Sequence, residues 1–390
     1  MTTDRAHPAF EYHIDGKIGT EITKSVGDRE ALSLAYTPGV GLISEEIAAD
    51  PSCVWEYTGR GNAVAIVSDG SAVLGLGDIG PRAALPVMEG KAVLFKHFAG
   101  VDAYPICVDT KDVHEIISIV KALVPTFGGV NLEDISAPRC FEIEGRLAEE
   151  IDIPVFHDDQ HGTAIVTVAA LLNAAQVVDK PFESLRVTIM GVGAAGVATA
   201  KLLMSLGVQD IIGVDRSGAI YRGRKQNMNG QKRWFANRTN PRGVTGGIEE
   251  ALEDVDVFIG LSGPGLVKPE FLDEMHEDAV VFAMSNPVPE IMPEEIPSDV
   301  AVVATGRSDY PNQINNVLAF PGVFRGLLDV QSKAIDTDMK IGAARAIADC
   351  VPESELEPGF VIPSVFDGDV VPCVAETVRR IAREKGHARR

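Results

Sequence analysis

The sequence predicts an α/β fold, with a Rossmann-type dinucleotide-binding domain preceded by another α/β domain and closed by C-terminal helices. Three observations predict it. Short apolar runs alternate with helical stretches along most of the 390 residues. A Gly-x-Gly-x-x-Gly fingerprint at Gly191, Gly193 and Gly196 lies between a strand-like and a helix-like stretch. Two carboxylate pairs, Glu133–Asp134 and Asp158–Asp159, each follow an apolar run, and α/β folds place ligands at such strand ends. The expected domains are residues 1–160, 161–325 and 326–390, with the last helices folding back on the first domain.

In order along the chain, residues 1–30 read as a polar arm with one helix, and Pro38-Gly39 as a turn just after Tyr36. Strands are expected at 62–69, 71–76 and 103–108, with helices at 88–98 and 113–124. Residues 128–130 and 153–156 read as buried strands, the first followed by a helix at 140–150. Residues 157–161 read as loop, because Pro154 precedes and Gly162 follows. An alanine-rich helix is expected at 162–178. A βαβ unit follows: strand 185–190, the fingerprint with Ala194 and Ala195, helix 197–206, and strand 210–214 delivering Asp215. Residues 216–248 read as loop with one helix. Strands at 255–259, 279–284 and 300–304 and helices at 324–350 and 373–385 complete the chain.

The fingerprint has a mechanism. Gly191 allows the tight turn, Gly193 lets backbone approach a pyrophosphate, Gly196 lets helix and strand pack, and the helix N-terminus receives the phosphates. Asp215 stands at the spacing for a ribose 2′-hydroxyl. The other Gly-x-Gly-x-x-Gly, at Gly75, Gly77 and Gly80, lacks a following strand that ends in an acid, and reads as a turn beside a ligand or a structural turn. Four acids brought together would repel without a cation, and oxygen donors suit Mg²⁺ or Mn²⁺. His157 and His161 read as hydrogen-bonding or structural, not as ligands.

A net charge of -21 argues against nucleic acid and anionic membranes as partners, and no apolar run is long enough to span a bilayer. Five scattered cysteines without a Cys-x-x-Cys fit a reducing compartment. A cytoplasmic location and a small-molecule substrate are expected.

With these residues in view, the chain resembles the malic enzymes, most closely the short prokaryotic type. The stretches that carry the resemblance are 36–40, 73–80, 89–92, 131–134, 157–163, the fingerprint, 285–287 and 305–316. The resemblance implies oxidative decarboxylation of L-malate to pyruvate and CO₂, with NAD or NADP and Mg²⁺ or Mn²⁺. It makes the first domain a substrate and metal domain. It assigns Glu133, Asp134 and Asp159 to the metal, and Tyr36, Lys91 and Asp158 to acid–base work. Asn286 and Asn316 match asparagines that contact substrate or nicotinamide, and Asn315, next to Asn316, is expected to contact substrate with them. It also suggests a homodimer. Some prokaryotic members carry a further phosphotransacetylase-like domain, and with its last residue at Arg390 this chain is expected to lack it. Larger members hold a malate carboxylate with an arginine where this sequence has Ala72, which leaves Ser71 and nearby backbone as candidates, with Lys96 and Arg307 behind them.

A lysine base requires a pKa lowered towards neutral, and Lys91 is the candidate, with Lys96 competing. Asp215 favours NAD, although Arg216, Arg222, Arg224 and Lys225 could hold a 2′-phosphate. The rival readings are an amino-acid-dehydrogenase-like oxidoreductase, which needs no carboxylate pairs, and a non-catalytic NAD(H)-binding module.

Overall fold

Parallel strands rich in Val and Ile, buried on both faces, require helices on either side, and the computed structural model, which describes residues 6–73 and 75–390, has that arrangement twice. An arm of short helices comes first: α1 (Pro8–Tyr12), α2 (Arg29–Ala35), α3 (Gly39–Ala49) and α4 (Val54–Tyr57). The first sheet follows, with β1 (Ala63–Ser68), α5 (Pro81–Ala99), β2 (Asp102–Cys107), α6 (Val113–Leu123), β3 (Gly129–Leu132), α7 (Arg139–Glu150) and β4 (Val155–His157). Its strand order is β2-β1-β3-β4, all parallel, with Val64 opposite Gly129 and Val130 opposite Val155.

The 20-residue helix α8 (Asp158–Val177) leads into the second sheet. This contains β5 (Arg186–Met190), α9 (Ala194–Ser205), β6 (Asp210–Asp215), β7 (Gly218–Ala219), α10 (Gly230–Arg238), α11 (Ile248–Leu252), β8 (Val257–Gly260), α12 (Pro269–Leu272), β9 (Val280–Ala283) and β10 (Val302–Thr305). The order is β10-β9-β8-β5-β6-β7, parallel except for β7, the doubly wound pattern expected of a dinucleotide fold. Helices α13 (Phe320–Asp329), α14 (Thr337–Ala348) and α15 (Val370–Glu384) close the chain. Phe320 and Phe324 of α13 pack tilted and edge-on against Phe95 of α5, with ring centroids 4.7 and 5.3 Å away. Helix α14 packs on α8, and α15 on both α13 and α14. One apolar core therefore runs through α5, α8, the second sheet and the terminal helices.

Three sequence expectations fail, each for a local reason. Residues 71–76 do not form a strand: apart from Leu74, which lies outside the described residues, they form a turn closed by a single bridge between Val73 and Gly77. Gly70, Gly75, Gly77 and Gly80 all have left-handed φ there, which breaks an extended run. Residues 157–161 are not loop, because Asp158 and Asp159 open α8 and favour its positive N-terminal end. Residues 324–350 are two helices: Gln331 is left-handed at φ 48°, and the Asp336 carboxylate accepts from Met339 N to start α14.

Candidate active site

The carboxyl ends of β3 and β4 bring the two acid pairs together. Asp134 takes a left-handed φ of 54°, which aspartate tolerates better than most residues, and its backbone N–H donates to Asp159 Oδ2 at 2.9 Å. One carboxylate oxygen from each of Glu133, Asp134 and Asp159 lies within 4.8 Å of the others. Glu133, Asp134 and Asp158 are buried, and Asp134 Oδ2 and Asp158 Oδ1 have no hydrogen-bond partner. Burial, then repulsion from Asp159, pushes Asp134 up to about 8. Burial first, then the neighbouring acids, raises Glu133 and Asp159 as well. Buried oxygen donors that repel one another, with lone pairs unused, fit a hard divalent cation.

Lys91, on α5, is buried between two of these acids. Its Nζ lies 2.5 Å from both Glu133 Oε2 and Asp158 Oδ2, and 4.3 Å from the centroid of the Phe320 ring. Burial acts against its charge, yet Asp158 and Glu133 outweigh burial and hold it above its ordinary value. The lowered pKa expected of a lysine base is therefore not what these side chains alone produce, because two carboxylates face one ammonium. Asn316 Nδ2 donates to Asp158 Oδ2 at 3.0 Å and to Thr163 Oγ1 at 3.2 Å.

These groups line a cavity of about 1120 Å³ between the sheets, together with Ala194, Ala195, Asn286, Asn315 and Asn316. The fingerprint opens onto it. A Cβ on Gly191 would meet Leu261 O at 2.3 Å, and one on Gly196 would meet Gly191 O at 2.0 Å, whereas Gly193 has nothing within 4 Å. Two glycines are thus demanded by packing, and the third leaves open space at the start of α9. The other glycine cluster also serves the cavity wall, since a Cβ on Gly75 would meet Asn286 O at 2.7 Å.

Asp215, at the end of β6, accepts from Arg224 at 2.6 Å, Lys232 at 2.5 Å, Asn227 at 3.1 Å and Ser217 N at 2.8 Å. Burial would raise its pKa, but Lys232 and Arg224 hold it below the ordinary value. Arg224 is thus engaged with the very acid whose effect it was expected to oppose.

Other expected residues lie elsewhere. Ser71 does not line the cavity. Its hydroxyl donates to Asp69 Oδ1 at 2.6 Å and accepts from Ser136 N and Arg139 Nη2. Lys96 and Arg307 are paired with Asp102 and Asp309. Tyr36 is 70% exposed and is not among the lining residues, whereas Tyr12, His13 and Lys17 are. Lys17 is fixed to α5 through its backbone N–H, which donates to Glu89. No sequence signal marks these arm residues, nor the Phe320 ring against Lys91. His161 pairs with Glu144 at 2.9 Å, and that acid is held down to about 2, the His161 and Lys340 charges outweighing its burial.

Known proteins resemble this chain along most of its length. Residues 15–148 match the family model for malic enzyme, N-terminal domain, and residues 160–383 that for malic enzyme, NAD binding domain. The chain is 56% identical to an NAD-dependent malic enzyme of Geobacillus stearothermophilus, over 98% of this chain and 80% of that one. It is 54% identical to a bifunctional malic/malolactic enzyme of Bacillus subtilis, over 96% and 92%, and 46% identical to an NADP-dependent malic enzyme of Halomonas elongata, over 100% and 96%. The crystal structure of malic enzyme from Pyrococcus horikoshii superposes with a TM-score of 0.94 at 48% identity, covering 98% of this chain and 92% of that one.

Proposed function

The chain belongs to the malic enzyme family, and on that premise we propose how its own residues divide the reaction. The protein oxidatively decarboxylates L-malate to pyruvate and CO₂ and reduces NAD(P)⁺. The observation that carries the residue-level reading is Lys91 Nζ, 2.5 Å from both Glu133 and Asp158, with Asp134 and Asp159 beside them.

Glu133, Asp134 and Asp159 would hold Mg²⁺ or Mn²⁺, which when bound supplies Lewis-acid stabilisation of charge developing on the substrate oxygen at C2. Lys91 and Asp158 act as a pair. The Lys91 amine, in its neutral form, takes the C2 hydroxyl proton as hydride leaves C2 for the nicotinamide, and Asp158 Oδ2, 2.5 Å from Nζ, stabilises the ammonium that results. Asn316 keeps Asp158 aimed at the lysine. Loss of CO₂ leaves an enol that needs a proton at C3, and that role goes to the Tyr36 hydroxyl, which stands outside the cavity lining and must come within reach of that carbon to act. Asn286, Asn315 and Asn316 orient the substrate. Ser71 instead braces the turn at Ser136 and Arg139, since its hydroxyl is engaged with Asp69, Ser136 N and Arg139. Gly191, Gly193, Ala194, Ala195 and Gly196 receive the pyrophosphate, and Asp215 faces the ribose. Among the described residues no helix is long and apolar enough to cross a membrane, and a cytoplasmic location completes the reading.

The test is L-malate-dependent coenzyme reduction by the purified protein. It should stop in EDTA and return with Mn²⁺, and Lys91→Ala should lose at least about 10²-fold, the usual contribution of a general base. Undiminished turnover in excess EDTA would remove the carboxylate cluster from the mechanism.

A further inference from the structure

We propose that the Lys17 ammonium holds the C4 carboxylate of malate, the one lost as CO₂. This deepens the reading above and rests on it, since the C1 carboxylate and C2 hydroxyl are taken to face the metal-binding acids. The far carboxylate then needs a cation of its own.

The lining of the cavity leaves few choices. Malate brings two negative charges to a space already lined by Glu133, Asp134, Asp158 and Asp159. Among the described lining residues there is no arginine, and only Lys91, Lys17 and His13 can carry positive charge. Lys91 is engaged, with Glu133 and Asp158 both 2.5 Å from Nζ. The Lys17 ammonium meets no carboxylate among the described residues. It donates to Pro86 O and to His13 Nε2, two uncharged acceptors, which leaves one of its three N–H groups unused.

The arm is shaped to hold this cation at the cavity. Of residues 6–30, Lys17 alone is not exposed, although lysine is among the residues that leave water least readily. Asp15 and Gly16 take successive left-handed φ values of 63° and 78°, which turn the chain sharply after α1. The turn then seats on α5, where Glu89 Oε2 accepts from Lys17 N at 3.1 Å. Gly90 completes the seat. A Cβ on Gly90 would lie 3.5 Å from Lys17 Nζ, so the ammonium crosses α5 at the residue beside Lys91. The backbone is thus anchored, while the four-carbon stem lets the charge follow a ligand.

A cation on the departing carboxylate stabilises malate more than the transition state, in which that charge moves towards the enolate. Lys17 should therefore act on malate affinity and not on kcat.

The test is calorimetric titration of enzyme holding Mn²⁺ and NADH, which binds malate without turning it over. Oxalate is the control ligand: it carries the same charge as malate and chelates metal, but has no carboxylate at the C4 position. Lys17→Met keeps the length of the stem and removes the charge. It should weaken malate binding on the order of 10- to 100-fold, the range for a hydrogen bond to a charged group, and leave oxalate binding nearly unchanged. Lys17→Arg should keep most of the malate affinity. Mn²⁺ affinity, read by electron paramagnetic resonance, should not move in either variant, and circular dichroism confirms that both are folded. Malate binding unchanged in Lys17→Met would overturn the proposal. Equal loss of malate and oxalate would overturn it too, because Lys17 would then only brace the arm or attract anions in general. If wild type binds malate no better with Mn²⁺ than in EDTA, the carboxylate-cluster reading fails, whatever Lys17 does.

Discussion

Asp215 shows how far a residue's role depends on what faces it. A bare carboxylate at this position would repel a 2′-phosphate, but Arg224 and Lys232 neutralise it. Lys232→Ala should restore that repulsion. The kcat/KM with NADP should fall on the order of tenfold while that with NAD changes little. An equal fall with both coenzymes would mean that Lys232 only braces the loop through Asn227, whose carbonyl it also reaches. Asp215 itself was legible, because fingerprint and acid keep a fixed spacing on a βαβ unit. Its cations were not, since they come from 9 and 17 residues further on across a loop. Glu133, Asp134, Asp158 and Asp159 were legible for the same reason as Asp215: strand ends are visible as apolar runs. The direction of the Lys91 shift was hidden, because it depends on two contacts with residues distant in sequence.

Helix α13 links stability to chemistry. Its Gly326 lies where α15 crosses, and a Cβ there would meet Ala375 O at 2.6 Å and Val378 Cβ at 2.8 Å. Gly326→Ala should therefore force the helices apart and destabilise the protein by about 1–3 kcal/mol, the usual cost of overpacking, read as a lower urea midpoint. Because Phe320 on the same helix lays its ring against Lys91, malate turnover should fall with it; an unchanged midpoint would show that α15 yields freely. The existence of α13 and α14 was legible from apolar periodicity. Their division was not, since the break depends on one left-handed residue, Gln331. Residues 71–76 misled for the opposite reason: the apolar alternation was real, but the glycines around it decided the backbone. Helix α3 was missed because its apolar side chains remain exposed and only the turn at Pro38-Gly39 stood out.

For the whole molecule, the acid cluster is a stability cost that depends on pH. Asp134 is raised from its ordinary 3.8 to about 8, so between those values the folded protein binds more protons than the unfolded chain. Stability must then fall as pH rises through that window. In EDTA, Tm should drop from pH 5 to pH 8, and Asp134→Asn should reduce the drop while abolishing malate turnover. Mn²⁺ should raise the wild-type Tm more at pH 8 than at pH 5. A variant that melts with the same pH slope as wild type would place the strain elsewhere. Both sheets were legible at this scale, because parallel strands alternate with helices; the return of the last helices onto α5 and α8 depends on packing that no periodicity encodes. Helix α8 has a consequence for recombination. Its first turn carries Asp158 and Asp159, while its body packs on α9 of the coenzyme half and on α14. A chimera joined at residues 151–154 would import both acids with the donor's coenzyme half, so their register against Glu133 and Lys91 would be set by the foreign partner. A junction inside α8 would keep the acids native but put the seam through the buried interior. Exchange of coenzyme halves between relatives is therefore constrained by the acids and not by the glycine fingerprint.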